Sequence, residues 1–78
     1  MNKNRLQRLR DAVEKIAAAY SELDKVRNEE RDAFDCMPEN LQYSERGEQT
    51  EQNADDLDDA LSYIEDGMDA LNDIIANN

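Results

Sequence analysis

Histidine and tryptophan are absent from the 78 residues, which include one cysteine, one proline and two glycines. Each scarcity removes a class of protein. A structural zinc site needs about four nitrogen or sulfur ligands, so no metal site is expected, and no cofactor is implied. A nucleophilic triad has no imidazole to serve as its base. One cysteine cannot form an internal disulfide framework. Cys36 lies beside Asp35 with no neighbouring base and reads as a small loop-packing residue. No phosphate-binding loop, paired-glycine nucleotide fingerprint or calcium loop occurs. No run approaches the ~20 apolar residues that span a bilayer. No apolar segment follows Met1-Asn2-Lys3 as it would in a secretory signal. The expectation is a single small cytoplasmic domain without a membrane or an enzymatic role.

Bases are also few. Nine stand against 20 acids, for a net charge of −11. Eight of the nine (Lys3, Arg5, Arg8, Arg10, Lys15, Lys25, Arg27, Arg31) fall within residues 1–34, where the net is +1. Residues 35–78 hold only Arg46 and thirteen acids, a net of −12. Such a balance argues against direct binding of nucleic acid, whose phosphates are met mainly by Lys and Arg. It opposes anionic membranes for the same reason.

Apolar periodicity is what the chain has in quantity. Leu6, Leu9, Val13, Ile16, Tyr20 and Leu23 recur at steps of three and four, as do Ala54, Leu57, Leu61, Ile64, Met68, Leu71 and Ile75. These are heptad seams, so the fold is expected to be all-α. Pro38 disfavours helix at Met37, ending the first helix near residue 35 and opening a short turn through Leu41. Ser44 suits an N-cap, with Glu45 and Glu48 in the turn that follows. The spacing predicts helices over about 4–35 and 45–76, joined by a turn at 36–44, as an antiparallel hairpin.

Folding at about residue 40 pairs Leu23 with Leu57, Tyr20 with Leu61, Ile16 with Ile64, Val13 with Met68 and Leu9 with Leu71. That register sets Arg5, Arg8 and Arg10 near Asp66, Asp69 and Asp73. The first seam continues into Arg27 and Glu30, the second runs back to Thr50 and Gly47. The preferred reading of this polar stretch is a shift of face onto Val26, Ala33 and Phe34; the alternative is a polar layer that sets register. Ala12, Ala17, Ala19, Val26, Ala60, Tyr63, Ala70 and Ile74 widen the apolar stripe beyond one contact line. The hairpin is therefore expected to dimerise into a four-helix bundle.

Two acidic patterns lie on the second helix. Glu48-x-x-Glu51 and Asp66-x-x-Asp69 are similar in spirit to the metal-binding pairs of all-α nucleotide pyrophosphohydrolases. On one helix they stand ~27 Å apart and cannot share an ion. The second is a line: Glu48, Glu51, Asp55, Asp58, Asp59, Glu65 and Asp69 follow helical spacing. Carboxylates one turn apart approach the spacing of phosphates along a strand. This line is the candidate binding face, and changing Asp55, Asp58 and Asp59 to Asn is expected to leave the fold intact. Arg46, at the start of the helix, is the candidate contact for an anionic ligand.

The segments Asn28-Glu29-Glu30-Arg31-Asp32-Ala33-Phe34-Asp35, Met37-Pro38-Glu39-Asn40-Leu41-Gln42 and Ser44-Glu45-Arg46-Gly47-Glu48 resemble small acidic phage and prophage proteins. Their core reads E-x-A-F/Y-D-N-x-P-E-x-L-Q-x-S-E-R-G-E; Cys36 stands where that pattern has Asn. The resemblance implies a phage context in a bacterial host and no catalytic residues. Three functions suit it: sequestration of a basic host or phage protein through the acidic line, a structural or assembly bundle, and an oligomeric sponge for nucleotide signals.

Overall fold

The computed structural model describes all 78 residues as three helices: α1 (Lys3–Asp35), α2 (Glu39–Gln42) and α3 (Glu45–Ala76). Local chemistry accounts for each boundary. The Asn2 side chain accepts from the Arg5 N–H at 2.8 Å and caps α1. Pro38 stops its continuation, and the last carbonyls find partners: Phe34 O accepts from Met37 N at 3.0 Å and from Gln42 Nε2 at 3.1 Å. Pro38 O accepts from Leu41 N and Gln42 N, which makes α2 the short turn expected. Ser44 Oγ accepts from Gly47 N at 3.2 Å and caps α3, again as expected.

The long helices run antiparallel in a body of 58 × 15 × 14 Å. Its radius of gyration is 17.5 Å, against about 11.5 Å for a compact chain of this length. Nothing folds back over the pair. Both expected seams face inward: Ala54 and Leu61 are buried, at 0% and 3% exposure, and the other apolar seam residues are half-buried.

Three expectations are corrected. The apolar face does not shift near the turn. Val26, at 42%, and Ala33 are exposed, while Arg27, Glu30, Phe34 and Met37 continue the original seam half-buried. The polar layer is the observed arrangement. It is accommodated because α3 offers small residues there, Ala54, Thr50 and Gly47.

The register is the second. Tyr20 meets Glu65, Arg27 meets Asp58 and Glu30 meets Asn53. These numbers sum to between 83 and 85 rather than 80, a slide of about one turn. Leu23 is thereby level with Leu61 instead of Leu57, and Ile16 with Met68 instead of Ile64. The cause is α2, which occupies one turn on the α1 side of the hairpin, so that α3 begins beyond the end of α1.

Third, no ion pair joins Arg5, Arg8 or Arg10 to Asp66, Asp69 or Asp73; the ion pairs all lie between residues 22 and 58. The slide carries Arg5 and Arg8 past those acids, Asp66 and Asp73 lie on the outer face of α3 away from α1, and the exposed bases are solvated.

With seam positions lettered a and d, like flanks of an antiparallel pair share a side: e with e and g with g. The e side carries Arg10, Asp24 and Arg31 on α1 with Glu51, Asp58 and Glu65 on α3. The g side carries Ala12, Ala19, Val26 and Ala33 with Asn53, Ala60, Gly67 and Ile74. Among these residues one side is charged and the other, apart from Asn53, apolar.

Candidate interaction surfaces

On the charged side, Arg27 and Arg31 reach from consecutive turns of α1 to α3. Arg27 donates to Asp58 across the hairpin and to Asp24 on its own helix. Arg31 Nη2 donates to Asp58 Oδ2 at 2.9 Å and to Asp55 Oδ1 at 3.1 Å. Asp58 accepts from both arginines. The Arg27 hydrogen bond, with the charge of both guanidiniums, holds its carboxyl below the ordinary carboxylate value. Each arginine is held further toward its charged form, Arg27 mainly by its bond to Asp58 and Arg31 mainly by its bond to Asp55. One turn pair further from the loop, Tyr20 Oη donates to Glu65 Oε2 at 3.4 Å. Partial desolvation, followed by the Glu65 charge, pushes the Tyr20 phenol up. Asn53 Nδ2 donates to Glu30 Oε2 at 3.0 Å, which satisfies the acid within the polar seam.

This network divides the candidate acidic line. Asp55 and Asp58 are tied to α1 by ion pairs and Glu65 by a hydrogen bond. Glu48, Glu51, Asp59 and Asp69 are exposed and unpaired. Replacing Asp55, Asp58 and Asp59 together would therefore cut every cross-helix ion pair, and that triple change is not the fold-neutral test expected of it. All seven acids lie on one side of α3, at its e, b and f positions. The sequence did not show which would be taken up by α1, because that depends on the register.

Arg46 makes no ion pair, although Glu45 and Glu48 flank it. It edges an open notch of about 320 Å³ at the turn, otherwise lined by Ala33, Cys36, Met37, Pro38 and Leu41. One cation beside apolar walls is too little to neutralise a nucleotide's phosphates. No group of histidine, cysteine or carboxylate side chains is placed to hold a metal ion, and no helix is long and apolar enough to cross a membrane.

No protein-family model matches the chain, and neither a curated protein nor a solved structure matches it.

Proposed function

We propose that this chain is a non-catalytic binding protein that sequesters or inhibits a basic host or phage component, one whose own ligand is nucleic acid. One observation carries the reading: of the eleven carboxylates on α3, nine have no ion-pair partner. They lie along a rigid helix of ~48 Å, so their spacing is held without any induced fit. Unpaired like charges repel one another, and a basic partner relieves that repulsion on binding while being steered in by the field. Glu48, Glu51, Asp59 and Asp69 are the residues of the candidate line that remain free for such a partner.

The structural-module reading has an observation of its own, the apolar side, which needs a cover whatever α3 binds. The two readings use different sides of the hairpin and are compatible. The lone Arg46 supports the sponge reading least.

The test uses the full chain as bait in bacterial lysate, beside a variant carrying Glu48→Gln, Glu51→Gln, Asp59→Asn and Asp69→Asn. The intact chain should retain a basic nucleic-acid-binding protein at about 0.05 M salt and release it by about 0.5 M, where screening is severe. The variant should keep its helicity and lose the partner, and the purified partner should regain its grip on DNA or RNA. A partner held equally by both baits, or held regardless of salt, contradicts the reading.

A further inference from the structure

The g side is apolar over most of its length, with nothing over it. On α1 it presents Ala12, Ala19, Val26 and Ala33, one per heptad, all exposed. On α3 between residues 60 and 74 the g and adjoining c positions are Ala60, Tyr63, Gly67, Ala70 and Ile74, with Tyr63 75% and Ile74 41% exposed; nearer the loop the same positions are Asn53 and Asp56. No charged residue interrupts the stripe between Ala60 and Ile74, although acids stand on both sides of it at Asp59, Glu65, Asp66, Asp69 and Asp73.

The surface area says how large the missing cover is. A monomeric protein of 9.0 kDa exposes about 4,900 Å² by the scaling of folded proteins. This chain exposes 5796 Å². The surplus of about 900 Å² matches one partner's share, about 800 Å², of a standard protein–protein interface.

Gly67 makes the same point independently. Glycine weakens a helix interior, and close approach of another backbone is the usual reason for keeping one there. Within the hairpin nothing lies within 4 Å of the place its Cβ would occupy. The small residue serves no contact in the single chain. It sits at the centre of the apolar stripe, where a facing helix would come nearest.

Charge identifies the occupant. The c positions of α1 that border this face are Arg8, Lys15, Glu22 and Glu29, two bases followed by two acids. None has a cross-helix partner, and the one ion contact among them is Glu22 with Lys25 at 4.0 Å. Such a row is complementary to itself when reversed. A two-fold axis supplies the reversal, so the same patch serves both partners. We infer that a second copy of this chain covers the g side, with α1 antiparallel to α1, α3 antiparallel to α3, the two loops at opposite ends and Gly67 near the axis. Arg8 and Lys15 of each copy then face Glu29 and Glu22 of the other. The opposite arrangement, with both loops at one end, would bring together the two most acidic ends, each carrying twelve acids against four bases over residues 24–58. The acidic outer surface of α3 stays exposed in this dimer, which does not rest on the binding activity proposed above.

Sedimentation equilibrium of the full chain tests the inference. The expected mass is twice the 9.0 kDa of one chain. Gly67→Leu should keep the helical content, since the hairpin has room for it, and raise the dimer dissociation constant about tenfold or more. The charge row is tested apart from packing. Arg8→Glu with Lys15→Glu should weaken self-association, as should Glu22→Lys with Glu29→Lys, and mixing the two variants should restore a dimer. A monomer at 0.1 mM overturns the inference, as does a dimer indifferent to Gly67→Leu or a charge-reversed pair that fails to recombine.

Discussion

Gly47 and Asp58 are the residues on which the turn and the register depend. Gly47 lies where α2 crosses the first turn of α3. A methyl group there would sit against the carbonyl oxygens of Leu41 and Gln42, and 2.7 Å from the Gln42 carbonyl carbon. These are backbone atoms and cannot rotate away. Gly47→Ala should therefore destabilise the fold by about 1–3 kcal/mol through displacement of α2, despite the better helix propensity of alanine. Thermal unfolding checks this, and an unchanged or raised melting temperature would mean that α2 does not pack on α3. Asp58 is tested by pH. Its carboxyl titrates below the ordinary 3.8 because Arg27 and Arg31 favour the charged form. Stability from a depressed carboxylate is present above the unfolded value and is lost as pH falls through the folded one. Asp58→Asn should thus be less stable than the natural chain at neutral pH. The difference should close as pH drops below about 4. A difference that does not change with pH across the acid range would show that the ion pairs do not hold Asp58.

At the scale of the helices, the sequence and the structure agree where a local cause suffices. Helical period, the Pro38 stop and the Ser44 cap each act within a few residues, and the limits of both long helices follow from them. Register does not have a local cause. A heptad seam offers apolar layers at successive one-turn slides, so Leu23 finds a leucine whether level with Leu57 or with Leu61. What distinguishes the two is long-range: the room α2 takes beside Gly47, and the reach of Arg27 to Asp58. The same gap explains the acidic line. Its seven members were legible as a helical row, whereas the commitment of Asp55, Asp58 and Glu65 to α1 followed only once the slide was known. The polar stretch differs from the expected shift of face because its partners come from α3, out of reach of a local reading. Arg27 and Glu30 are only half-buried there, their heads meet Asp58 and Asn53, and Ala54 makes space for their stems.

For the whole molecule, two sides of one hairpin divide the work. Arginines and aspartates on the e side fix how α1 lies on α3, and two buried apolar residues are a small core for a chain of 78. Burial by a second hairpin along the g side would complete a four-helix bundle and leave two acidic α3 surfaces pointing outward, one on each copy. Cys36 offers a direct measurement of that assembly, being the one cysteine, exposed, and placed at the loop end. With Gly67 near the two-fold axis and level with Ala17 in the observed register, Cys36 lies nineteen residues from the axis on a straight helix. Spin labels on Cys36 should give a dipolar distance of about 55–60 Å at 1.5 Å per residue. A distance under about 25 Å would place the loops at one end, and the absence of any dipolar coupling would leave the hairpin alone in solution; either result contradicts the antiparallel bundle.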